Sequence, residues 1–119
     1  MSRSAENNLA AALAYYQAMN DKNLEAVARH FHPEVEFVGP IAQLRGKPAV
    51  IEAARRFSSL ARHVEVRAKF ANDQQVMLAY DIDFPEPIGI CHAAVLIDFK
   101  DGLINRLELF YDARPFAKM

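Results

Sequence analysis

A single cysteine, Cys91, leaves this chain of 119 residues without an internal disulfide, a CxxC zinc site or a cysteine-held iron–sulfur cluster. Glycine is scarce too. Gly39, Gly46, Gly89 and Gly102 stand isolated, so no glycine-rich loop can cradle phosphates, and no bound cofactor is expected. Charge of one sign is missing as well: fourteen Lys and Arg against fifteen Asp and Glu give a net charge of -1. That balance argues against electrostatically driven binding to nucleic acid or to an anionic membrane surface. No apolar run reaches the roughly 18 residues of a membrane span, and the opening residues Met1 to Asn8 contain no apolar signal region. Of the four histidines, His30 and His32 lie two apart at a helix end and share no face, so no metal site is expected from them, from His63 or from His92.

What the chain does have is apolar bulk. Hydrophobic residues make up 52% of it and aromatics 10%, ample for one packed core. Splitting it would leave about 60 residues to each half, a marginal size, so residues 1–119 read as a single domain. A reduced, cytoplasmic setting fits these properties.

Leu9, Ala12, Leu13, Tyr16 and Met19 form a stripe at helical spacing, with Ser4 as the expected N-cap and Asn20-Asp21-Lys22-Asn23 as the break. Asn23 then caps a shorter helix, Leu24 to Phe31, which Pro33 ends. Val35 to Val38 alternates as a short strand closed by Gly39-Pro40. Gly46-Lys47-Pro48 announces a third helix, whose apolar face is Val50, Ile51, Ala54, Phe57 and Leu60.

The rest reads as strands: Val64 to Phe70 with period 2, Gln75 to Phe84, Ile90 to Phe99, and Leu103 to Asp112 after the tight turn Lys100-Asp101-Gly102. Three helices and a short strand followed by an antiparallel meander make an α+β fold. Ile90 to Phe99 is apolar on both faces, with Cys91, Ala93, Val95 and Ile97 on one and Ala94 and Leu96 on the other. Helices can cover only one face, and a second subunit is the economical cover for the other.

Three segments in this order resemble the nuclear transport factor 2-like superfamily, most closely its SnoaL-like branch: Asn20-Asp21-Lys22-Asn23-Leu24-Glu25-Ala26, His32-Pro33-Glu34-Val35-Glu36-Phe37 and Leu44-Arg45-Gly46-Lys47-Pro48-Ala49-Val50. Phe99-Lys100-Asp101-Gly102-Leu103-Ile104 and Phe110-Tyr111-Asp112 add to the likeness. The resemblance implies a cone: a curved, antiparallel or mixed sheet wrapped around three N-terminal helices, enclosing a pocket and pairing into a homodimer through its convex face. It also implies a small apolar ligand or substrate, handled without a cofactor by isomerase, cyclase or hydrolase chemistry.

The catalytic sets of such relatives are broken here. Tyr15 matches the helix-1 oxyanion donor of ketosteroid isomerase-like members, but Gly39 stands where their general base would be and Val95 where their second donor would be. Against limonene epoxide hydrolase-like members, Asp81, Asp83, Leu109, Phe37 and Gly39 occupy the five positions and keep one residue. Arg106-Leu107-Glu108 replaces the Glu-His-Trp common in SnoaL cyclases.

Two orientations of the fourth-strand carboxylates stay open. Alternation alone turns Tyr80, Ile82 and Phe84 to the core and leaves Asp81 and Asp83 in water. The resemblance implies the reverse, a pocket lined by Tyr15, Phe37, Phe57, Ala79, Asp81, Asp83, Val95, Leu107, Leu109 and Tyr111. In that arrangement Asp81 or Asp83 is the acid/base, with one carboxyl kept protonated by its neighbour, and Tyr15 or Tyr111 donates to a developing oxyanion. A noncatalytic ligand carrier and a plain dimerisation module are the alternatives. Cys91 reads as a small buried hydrophobe, and Arg55-Arg56 as a solvated helix face.

Overall fold

The computed structural model describes residues 2–118. Helix α1 spans Arg3–Asn20, and Ser2, rather than Ser4, is its cap: the Ser2 hydroxyl accepts the Ala5 N–H at 3.0 Å. Helix α2 covers only Leu24–Arg29, capped by Asn23 as expected. His30 ends it, and Phe31 already belongs to the first strand, β1 (Phe31–Val38), so this strand begins before Pro33. A short strand absent from the sequence reading, β2 (Gln43–Arg45), folds back on β1. Helix α3 (Lys47–Leu60) follows with Pro48 in its first turn. Strands β3 (His63–Ala71), β4 (Gln75–Asp83), β5 (Ile90–Lys100) and β6 (Leu103–Tyr111) complete the sheet, and a 3-10 turn occupies Arg114–Lys118.

The six strands run in the order β2-β1-β6-β5-β4-β3. Neighbours are antiparallel except β1 and β6, which are parallel, so the sheet is mixed and curved but not closed. Asp101 and Gly102 both take positive φ, 55° and 77°, the backbone a two-residue hairpin turn between β5 and β6 requires.

The helices fill the concave side, α1 against β3 and β4 and α3 against β1 and β2. Two polar clamps hold them there. The Asn20 amide donates to the Val64 carbonyl at 2.9 Å and accepts the Val64 N–H at 2.8 Å. Lys22, in the left-handed region at φ 59°, donates from its ammonium to the Ser58 and Ala61 carbonyls at the C-terminus of α3. These acceptors have no partner within the helix, and a cation there meets the negative end of its dipole.

The period-2 reading of β3 fails halfway. Val66 opposes Tyr80 and Ala68 opposes Ala79, so Arg67 is an extra residue that bulges and inverts the alternation beyond it. Val64 and Val66 face the core, whereas Phe70 lies beside Met77 on the outer face and is 65% exposed. No helix among the described residues is long and apolar enough to cross a membrane.

Candidate functional site

Residues directly opposite one another on antiparallel strands share a face. Val95 opposes Leu78 and Leu109, and Tyr80 opposes Ala93, so Val76, Leu78, Tyr80 and Ile82 line the concave side together with Cys91, Ala93, Val95 and Ile97. The same register puts Asp81 opposite His92 and Ala79 opposite Ala94 on the convex side.

Under the concave face lie two cavities that share Phe37, Phe57 and Leu109 as common walls. The inner one, about 70 Å³, is bounded by Tyr15, Tyr16 and Met19 of α1, Val50, Ala53, Ala54 and Phe57 of α3, and Phe37, Tyr80, Val95, Leu107 and Leu109 of the sheet. The outer one, about 200 Å³, is bounded by Ile41, Arg56, Leu60, Ile82, Phe84, Cys91, Tyr111 and Phe116 besides the shared walls. Phe116 stands edge-on to Phe84 and Tyr111, with ring centres 5.2 and 5.3 Å away, and so builds one wall of the outer cavity from the 3-10 turn.

Tyr15, Phe37, Phe57, Val95, Leu107 and Leu109 therefore meet at the inner cavity, and Tyr111 joins the outer one. Ala79, Asp81 and Asp83 do not. Asp81 sits on the convex face, where Arg67 Nε forms an ion pair with its Oδ1 at 2.8 Å and His92 Nδ1 lies 2.7 Å from the same oxygen. The hydrogen bond from His92, reinforced by the Arg67 charge, holds the Asp81 carboxyl below the usual carboxylate range against a smaller opposing effect of burial. The expected carboxyl pair with one raised pKa is thus replaced by an ionised, partnered Asp81. Asp83 follows Asp81 on that side, at the end of β4, and its carbonyl accepts the Arg62 N–H at 2.7 Å. The physical cause is burial: presenting the carboxylates inward would have turned Tyr80 and Ile82, 1% and 2% exposed, out of the core.

Besides Tyr15, two hydroxyls outside the expected set bring polar chemistry to the inner cavity. The Tyr16 and Tyr80 hydroxyls lie 3.2 Å apart, with ring centres 5.0 Å apart. Burial raises the pKa of both phenols well above the ordinary value, and each is neutral at physiological pH. Tyr15 is likewise raised by burial, and its ring packs edge-on to Tyr16 at 4.8 Å and against Phe31 at 5.5 Å. Both missed tyrosines lay in patterns visible in the sequence, Tyr16 on the α1 stripe and Tyr80 on the even-numbered alternation of β4.

No carboxylate or imidazole lines either cavity among the described residues, and Arg56 is their one charged wall. Burial raises the Cys91 thiol, which keeps it a protonated wall residue rather than a thiolate nucleophile. Among the described residues, no three His, Cys, Asp or Glu side chains gather closely enough to hold a metal ion.

Solved structures share this architecture. A protein from Kribbella flavida DSM 17836 is 26% identical, with a TM-score of 0.88 over 98% of this chain and 93% of its own. An LEH-like epoxide hydrolase of M. tuberculosis is 14% identical, with a TM-score of 0.80 over 96% of this chain and 89% of its own. TerC, co-crystallised with polyporic acid, is 19% identical, with a TM-score of 0.80 over 94% and 96% of the two chains. No curated protein matches the sequence. The SnoaL-like domain family matches residues 12–107, which includes most of the cavity walls but not Leu109, Tyr111 or Phe116. With that match and this fold, the chain belongs to the SnoaL-like domain family.

Proposed function

We propose that the cone binds a small, largely apolar molecule carrying one hydrogen-bond acceptor, such as a ketone, and orients it on the Tyr16–Tyr80 pair. The observation that carries this reading is the count of hydroxyl protons. Two phenols hold two protons, and the bond between them uses one. The other has no protein acceptor among the described residues, and the space beside it is apolar. A ligand carbonyl placed there gains a hydrogen bond that water competes for poorly. The pair can also stabilise negative charge developing on that oxygen. It cannot take up a proton, because both phenols are already protonated, so the reading favours binding and polarisation over carboxylate-driven proton abstraction.

The reading treats the chain as one ligand-binding unit working as a homodimer in the cytoplasm. Phe70, Met77, Ile90 and Phe110 are exposed large apolar residues, Met77 and Phe110 bordering half-buried Ala94 and Leu96 on the convex face, and a second copy would cover them.

Calorimetric titration with 4-phenylbutan-2-one and with butylbenzene, which lacks the carbonyl, tests the proposal. The ketone should bind more tightly, and the Tyr16→Phe/Tyr80→Phe double variant should remove about 1 kcal/mol of that preference. Equal binding of the two probes, or a preference untouched in the Tyr16→Phe/Tyr80→Phe double variant, would contradict it.

A further inference from the structure

We infer that the outer cavity selects ligands whose apolar body ends in a carboxylate, with Arg56 as the recognising group. This names a ligand class for the proposed binding function and rests on it. Arg56 belongs to the exposed flank of α3, and the bland reading of such a residue is a solvated surface charge. Three observations speak otherwise.

The first is position. Arg56 borders the outer cavity beside Ile41, Leu60 and Phe116, and it is the one charged side chain among the described residues that do so. A long side chain at such a rim lays its methylenes on apolar surface and keeps its charged head at the opening.

The second is the state of its neighbour. Among the described residues, Glu52 is the one carboxylate bonded to Arg56, through Arg56 Nε at 3.3 Å. The same carboxylate is gripped from two sides by Arg55, through Nε at 3.1 Å and through a terminal nitrogen. Two guanidinium groups thus share one carboxylate, and the cluster keeps a net positive charge at the cavity mouth.

The third is the geometry left over. Among the described residues only Nε of Arg56 is engaged, so its two terminal nitrogens present a planar fork that can donate to a carboxylate in bidentate fashion. A ligand with its ring among Phe57, Phe84 and Tyr111 can place a short-chain carboxylate at this fork. Its charged end then stays in water contact while the apolar end is dry, which avoids the large penalty of burying an unpaired charge.

The test compares 4-phenylbutanoate with its methyl ester, a pair that differs in the charge and one methyl group, at low and at high salt. The acid should bind about three- to tenfold more tightly at low salt, the range for a well-formed but solvent-exposed charge pair, and high salt should shrink the difference. Arg56→Gln should bring the acid-to-ester ratio near one. Glu52→Gln, which removes the negative charge beside the fork, should raise that ratio about two- to threefold. If the acid and the ester bind alike to the unaltered protein, or if Arg56→Gln leaves the ratio unchanged, the inference is wrong while ligand binding by the cone stands. If neither probe binds, the binding reading itself fails and this inference falls with it.

Discussion

Tyr80 and Asp81 are adjacent in sequence and face opposite sides of β4, the phenol 3.2 Å from the Tyr16 hydroxyl inside the cone and the carboxylate 2.7 Å from His92 outside it. Which of the two faces inward decides what chemistry the cavity can host: a pair of neutral donors, or an acid/base.

Asp81→Asn should accordingly leave ligand binding unaltered. It should lower stability at neutral pH, because it removes the negative charge shared by Arg67 and His92. The pH dependence follows from the depressed pKa of Asp81 in the folded state. A carboxylate of this kind contributes stability above its unfolded pKa, 3.8, and that contribution is lost as pH falls through the lower folded value. The gap between the natural protein and Asp81→Asn, read by urea denaturation, should therefore be open at pH 7 and close progressively below pH 4. A gap that persists at the lowest pH would contradict the assignment.

The order of elements was legible in the sequence because helix and strand periods differ and the turn residues punctuate them. The both-faced apolar character of β5 was legible for the same reason. Three features were not. β2 is three residues long, too short for any period to show. The bulge at Arg67 inverts β3 without a glycine or proline to mark it. The inward face of β4 was legible by alternation, as Tyr80, Ile82 and Phe84, but the carboxylate positions of catalytic relatives pointed to the other parity, and a one-residue offset moves every side chain to the opposite face. Cross-strand pairing removes that ambiguity: with Val95 and Ala93 inward, Tyr80 must be inward too.

The convex face carries the expectation of a homodimer. Phe110 opposes Ala94 and Met77 opposes Leu96, and Phe110 remains 45% exposed in the single chain. Sedimentation at micromolar concentration should give a dimer, and Leu96→Glu, which plants a charge in the middle of that surface, should give a folded monomer or fail to fold. A monomer for the unaltered chain would refute the expectation outright.

Lys22 tests the clamp between the α1–α2 turn and α3. Lys22→Met removes the ammonium from the Ser58 and Ala61 carbonyls and should cost about 1 kcal/mol of stability. Lys22→Gly loses the same contacts but relieves a left-handed backbone at φ 59°, so it should cost less than Lys22→Met. An unchanged melting temperature in Lys22→Met would show that the clamp contributes little, and the reverse order of the two variants would show that the left-handed backbone costs little.

The central claim, that the Tyr16–Tyr80 pair presents a free proton to a ligand carbonyl, is tested most directly by the infrared stretch of carbonyl-13C-labelled 4-phenylbutan-2-one in complex with the protein. Donation by the pair shifts the bound carbonyl band to lower frequency than the same ketone shows in hexane, and the Tyr16→Phe/Tyr80→Phe double variant should return it to the hexane position. A bound band already at the hexane position in the unaltered protein, or a shifted band that survives the double substitution, would contradict the account.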